Sequence, residues 1–200
     1  MADIADEELM AMFQQGNICA FELLFEKYRG PVFTFLCRML NGERQPAEDL
    51  LQEIFVKLLK AKDLYEPRAK FSTWLFAIAR NHCLNFLRSR RYQGQAAWVP
   101  QGSADDEDFT SVSDLARTDE TARDAAGQRE MQEMLERAVR LLPDDYKEVF
   151  LLRAVQGFTH EQIAQTLKMN PATVRTNYHR AKLMLRESIG TMLGGETPWT

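Results

Sequence analysis

Nowhere in the 200 residues does an apolar run approach the roughly 18 needed to cross a bilayer. The opening MADIADEELMAMF lacks the basic flank and apolar core of an export signal. The expectation is a cytoplasmic protein with no membrane insertion of its own. Cysteine is scarce too: Cys19, Cys37 and Cys83 stand far apart, with no CxxC and no histidine pair nearby. That excludes a disulfide framework and a zinc site, and the thiols read as reduced and mostly in the core. Three histidines, His82, His160 and His179, lie in three separate segments, and there is no Gly-rich phosphate loop or nucleophile elbow. The chain therefore offers no catalytic constellation, no metal site and no cofactor cradle, and is expected not to be an enzyme.

What is present is the balance of a soluble globular protein, with 45% hydrophobic and 27% charged residues and a formal net charge of −4. Against that acidic total, RAKFSTWLFAIARNHCLNFLRSRRY, from Arg68 to Tyr92, holds six basic residues and five aromatic rings and no carboxylate. Its spacing predicts one helix from about Ser72 to Arg91. At 100° per residue Leu75, Ile78, Ala79, His82 and Phe86 fall on the buried side, and Ala77, Arg80, Asn81, Leu84, Arg88 and Arg91 opposite. The positive charge is thus a face.

Upstream, Asn17 can cap a helix carrying Phe21, Leu24, Phe25 and Tyr28, which Gly30-Pro31 should kink or break before Val32 to Leu40. Pro46 suits the first position of another helix. There Leu50, Leu51, Ile54, Phe55, Leu58 and Leu59 form an apolar stripe, leaving Asp49, Gln52, Glu53 and Lys57 facing away.

From Gln93 to about Arg117 the helical pattern dissolves. Between Asp105 and Glu130 nine acids face three arginines, which marks a solvated linker and a domain boundary. A helix is then expected from about Asp119 to Leu142, and another starting at Pro143 and ending at Gly157. Thr159 and Gln162 form a capping box for a short helix, and Asn170 with Pro171 opens a longer one after the turn Lys168-Met169-Asn170. Two helices on so short a turn make a helix-turn-helix pattern, or else a plain helical hairpin. In the last helix Val174, Tyr178, Ala181 and Leu185 share a core face, while Thr173, Arg175, Thr176, His179 and Arg180 point elsewhere. No acid occurs between Gln162 and Arg186, so this face could enter a major groove.

Four stretches together resemble the extracytoplasmic-function (ECF) group of bacterial RNA polymerase sigma factors. They are AEDLLQEIFVKLLK from Ala47, FSTWLFAIARN from Phe71 with LRSRR following, LLPDDYKEVFLLR from Leu141, and GFTHEQIAQTLKMNPATVRTNYHRAKLMLRE from Gly157. The resemblance implies an all-α protein of two small helical domains joined by an acidic flexible linker. A region 2-like bundle would span 1–92, the linker 93–118, and a region 4-like helix-turn-helix domain 119–200. It implies an alternative sigma factor whose partners are core RNA polymerase, promoter DNA (minus-10 single strand and minus-35 duplex) and an anti-sigma factor.

By the same resemblance Tyr65 and Asn81 would contact a flipped minus-10 base, and Trp74 would sit at the upstream edge of the bubble or serve only as a core anchor. Arg80, Arg88, Arg90 and Arg91 would hold phosphates, consistent with the need of a freed strand for aromatic surfaces and a cationic track. Thr173, Arg175, Thr176, His179 and Arg180 would read the minus-35 element, and Asp49, Gln52 and Glu53 would grip the polymerase clamp. The linker acids are either a solubility device or an imitation of nucleic acid in the polymerase channels. Lys168 departs from the family pattern, which often has glycine there, and so requires an awkward backbone or a different turn. His82, on the predicted buried stripe, reads as a core residue. A self-sufficient DNA-binding regulator would explain the helix-turn-helix, and a protein-binding adaptor the basic faces, but neither explains both halves.

Overall fold

The computed structural model describes residues 4–94 and 122–194, with side chains described over 4–91 and 129–194. Residues 93–94, expected to begin the linker, end a helix instead; the rest of the expected linker and most of the C-terminal tail lie outside the described residues. Eight α-helices and no strand occur among the described residues. The first unit contains α1 (Asp6–Gln14), α2 (Ile18–Met39), α3 (Arg44–Lys60) and α4 (Phe71–Gly94). The second contains α5 (Ala122–Arg140), α6 (Asp144–Phe150) with a π-type turn at Leu151–Val155, α7 (His160–Leu167) and α8 (Pro171–Met192).

Helix α1 was not expected from the sequence, although Leu9, Met10 and Phe13 are buried at helical spacing. Its polar residues tie down the rest of the first unit. Glu7 accepts the Phe71 backbone N–H at 2.8 Å, supplying the N-terminus of α4 with an acceptor it lacks locally. Gln14 donates to the carbonyls of Lys62 and Tyr65, and Asp6 accepts from the Tyr28 hydroxyl and Lys27. Phe13, Phe21, Phe25 and Phe55 form a continuous ring cluster across α1, α2 and α3, with Phe25 and Phe55 edge to face at 4.8 Å. Such a pair adds about 0.5–1.5 kcal/mol beyond its buried area.

Three sequence expectations need correction here. Helix α2 runs unbroken through Gly30-Pro31, capped by Asn17 as anticipated. Pro31 forfeits one backbone bond, but Leu24 and Tyr28 before it and Val32 and Phe35 after it are buried on one stripe, which holds both halves in line. Helix α3 starts at Arg44, so Pro46 sits third; any of the first three positions suits proline, since their N–H groups have no intrahelical partner. Its stripe is narrower than expected: Leu50, Ile54, Phe55 and Leu58 are buried, Leu51 is partly so, and Leu59 is exposed beside Val56.

In the second unit the caps stand where the sequence put them. Thr159 and Gln162 form the reciprocal capping box, and Asn170 accepts from the Ala172 N–H with Pro171 at the first position of α8. Lys168, at the end of α7, takes the left-handed conformation with φ 53° and ψ 44°. The awkward backbone is real, and the lysine carries it.

Candidate nucleic-acid and polymerase interface

The buried side of α4 is rotated from the one expected. Phe71, Leu75, Phe76, Ala79 and Cys83 are fully buried, whereas Ile78, His82 and Phe86 are only partly so. The cause lies outside the first unit: α7 and α6 of the second unit pack on α4, where Phe76 meets Phe158 with ring centroids 5.3 Å apart, edge to face. Phe76 also meets Phe35, so α4 is covered on two sides. Cys83, sealed there, has its thiol pushed up to about 12 by burial. Cys19, unlike the other two cysteines, is exposed.

His82 is not a core histidine. Its Nε2 lies 2.8 Å from Lys57 Nζ, and its Nδ1 3.7 Å from Glu53 Oε2, so it joins α4 to the polar face of α3. An ammonium can donate to Nε2 only when that nitrogen is unprotonated. Burial, then the Lys57 charge, hold the imidazole below its usual range, against the opposing pull of Glu53.

Among the expected minus-10 residues, Asn81 and Arg88 are exposed and Trp74 is partly buried. Tyr65 is buried: its ring packs against Phe71 and Trp74 at 6.0 and 5.1 Å, and its hydroxyl donates to the Ala69 carbonyl. Gln14, bound to the Tyr65 carbonyl, fixes this loop. Trp74 is therefore the accessible rim of an aromatic cluster, with Tyr65 behind it. Arg90 pairs with Glu43 at 2.6 Å within the first unit. Arg80 makes a two-pronged bond to Glu148, Nε to Oε2 at 2.7 Å and Nη2 to Oε1 at 3.0 Å, and Arg91 reaches Asp144 at 2.8 Å. Both acids belong to α6, and neither was singled out from the sequence as a partner for the basic face.

On α3, Asp49, Gln52 and Glu53 are all exposed, and Asp49 accepts weakly from Gln45 at 3.3 Å. On α8, Thr173, Arg175, Thr176, His179 and Arg180 are all exposed while Val174, Asn177, Ala181 and Leu185 are buried. The five stand on the N-terminal half of the second helix of a helix-turn-helix, held by a capped N-terminus. Arg180 donates to the Tyr146 hydroxyl at 3.3 Å, and Arg175 lies 4.0 Å from Glu161, so both exposed guanidiniums remain available to a stronger acceptor.

This geometry has counterparts. Residues 24–92 match the family described as Sigma-70 region 2, and residues 132–185 match Sigma-70, region 4. RNA polymerase sigma factor CarQ of Myxococcus xanthus is 31% identical over 184 residues, covering 92% of this chain and 97% of that protein. The chain belongs to the ECF group of RNA polymerase sigma factors. ECF RNA polymerase sigma-E factor of Haemophilus influenzae is 28% identical, covering 95% of this chain and 98% of its own. The fold also resembles the sigma factor RpoE solved with NepR from Bartonella quintana, at TM-score 0.67 and 20% identity over 84% of this chain and 96% of that one. CnrH solved with the cytosolic domain of CnrY gives TM-score 0.67 and 21% identity over 94% and 99%. As an alternative sigma factor the protein directs core RNA polymerase in transcription initiation. The region 2 match takes in α3 and α4, the region 4 match α6 to most of α8, and the acidic stretch falls between them. No helix among the described residues is long and apolar enough to cross a membrane.

Proposed function

We propose that this sigma factor works through three separate faces. The exposed N-terminal half of α8 reads the minus-35 element as duplex, with Arg175 and Arg180 able to offer paired donors to guanine or phosphate and Thr173, Thr176 and His179 smaller polar contacts. The face of α4 takes the minus-10 strand, with Trp74 and Asn81 accessible to an unstacked base, Tyr65 behind them, and Arg80, Arg88, Arg90 and Arg91 along the backbone. Asp49, Gln52 and Glu53 on α3 bind the core enzyme. The domains correspond to residues 1–92 and 119–200, with 93–118 as tether. The chain itself carries out no catalysis and acts in the cytoplasm, where its polymerase is. Its partner in the resting cell is an anti-sigma protein, a reading supported by the two similar solved structures, which were each determined with such a protein or its cytosolic domain.

The observation that carries this reading is the exposure of all five α8 residues together on a capped helix that carries no acid before Glu187, in a chain whose other unit independently presents Asp49, Gln52 and Glu53 to solvent. Replacing Glu53 with lysine tests the division of labour. Glu53→Lys is expected to lower affinity for core polymerase at least about tenfold by juxtaposing like charges while leaving the thermal melt nearly unchanged. Unchanged affinity in a pull-down with purified core enzyme would remove α3 from the polymerase interface.

A further inference from the structure

The loop beside the minus-10 face is held by a helix that was not expected from the sequence. Between Lys60, which ends α3, and Phe71, which starts α4, the chain exposes Leu64 and then Glu66 to Arg68, with Tyr65 buried between them. Its own backbone bonds, Leu64 to Ala61, Tyr65 to Lys62 and Arg68 to Glu66, are short-range and fix turns rather than the position of the loop. The long-range bonds come from α1. Gln14 donates to the carbonyls of Lys62 and Tyr65 at 2.8 and 3.0 Å, and Glu7 accepts the Phe71 N–H at 2.8 Å. Lys62 returns the contact, its ammonium 3.4 Å from the Gln14 carbonyl and above the Phe13 ring. Glu7 and Gln14 stand two helical turns apart, so one face of α1 reaches both ends of the loop over about 10 Å of its axis. The two residues anchored in this way are the ones on which Trp74 leans: its ring lies 5.1 Å from that of Tyr65 and 6.1 Å from that of Phe71.

We propose that Gln14 and Glu7 are positioning residues for minus-10 recognition: α1 braces the loop from Lys62 to Phe71 so that Trp74 and the loop crest are in place before an unstacked base arrives. This rests on the function proposed above and gives α1 a part in it. Neither side chain is offered to DNA, since both are partly buried and engaged with the loop backbone. They act through conformational entropy. A loop that samples many conformations must be ordered by the base it binds, which weakens capture; a loop ordered beforehand has no such loss. Selectivity suffers more than overall affinity when the brace is removed. Phosphate contacts hold the strand whatever its sequence, whereas telling one base from another needs the surrounding groups held in register.

The test measures binding of holoenzyme, assembled from core polymerase and the full chain, to fork-junction DNAs bearing the minus-10 sequence returned by promoter selection, with each unpaired base varied in turn. The unaltered protein should prefer one base at one position or more. Gln14→Ala should reduce that preference about tenfold while leaving affinity for core polymerase, and for the same DNA made abasic at that position, unchanged. Glu7→Ala should act in the same way, and Glu7→Gln, which keeps an oxygen acceptor for the Phe71 N–H, should restore the preference. Should Gln14→Ala fail to fold, the two Glu7 variants carry the test. Leu9→Ala is the control for stability: Leu9 is buried on α1 and takes no part in the bonds to the loop, so its loss should lower the melting temperature and spare the preference. Full preference in both Gln14→Ala and Glu7→Ala overturns the proposal, as does an equal loss in Leu9→Ala, which would reduce α1 to ordinary packing. If the unaltered holoenzyme prefers no base at any minus-10 position, the minus-10 reading of α4 fails and the proposal fails with it.

Discussion

At the residue scale, two side chains hold positions that cost the fold something. Lys168 sits at φ 53° between α7 and α8, a region in which a side chain with a Cβ is strained by about 1–2 kcal/mol. Part of that strain is returned by glycine's greater freedom in the unfolded chain. Lys168→Gly should therefore stabilise the protein by about 1 kcal/mol, read as a rise in melting temperature; a fall would mean that the lysine makes a compensating contact. His82 costs something in a different way. Its folded-state pKa lies below the usual value of 6.5, from burial and the charge of Lys57. Protons therefore bind the unfolded chain more readily, and stability is lost as pH falls through the unfolded-state value. His82→Gln should flatten the stability profile between about pH 7 and 5. An identical slope in the variant would place that pH dependence elsewhere. Neither His82's polar setting nor Glu148's pairing was legible in the sequence, because both depend on which helix arrives opposite. The strain at Lys168 was legible, since turn chemistry is local.

At the element scale, what could be read from spacing and what could not divide cleanly. The caps of α7 and α8 and the exposed face of α8 followed from residues within one turn of each other and stand as expected, as do Val174, Ala181 and Leu185 on its buried face, where Asn177 is buried and Tyr178, expected there, is only partly so. On α4 the periodicity was right but the buried arc was misplaced, because Phe76 and Cys83 are covered by the second unit and one helix's pattern cannot announce a neighbour as distant in sequence as Phe158. Gly30-Pro31 was read as a break because local propensity opposes helix there; continuous burial on either side outweighs it. The α8 face gives its own prediction. Arg175→Ala should weaken initiation by about 1–3 kcal/mol at promoters that carry a minus-35 element if it makes a bidentate base contact. Equal losses with and without the element, in paired transcription assays, would reduce Arg175 to a phosphate contact.

At the scale of the whole molecule, an acidic protein is built to bind nucleic acid by segregating its charge. The overall charge is −4, yet α4 from Phe71 and α8 through Arg186 contain no acid. Local potential, rather than the sum, governs attraction to a polyanion. The acids are placed where they either face outward, as on α3, or cover the basic face of α4, as on α6. A sigma factor so arranged is expected to use promoters only together with the core enzyme. Run-off transcription on a library of promoter DNA, with core polymerase, this protein, or both, tests that most directly. Specific initiation only when both are present, from templates sharing two spaced elements, is the result predicted. Tight binding to duplex sites by the protein alone, with nothing added to what core polymerase does by itself, would contradict it.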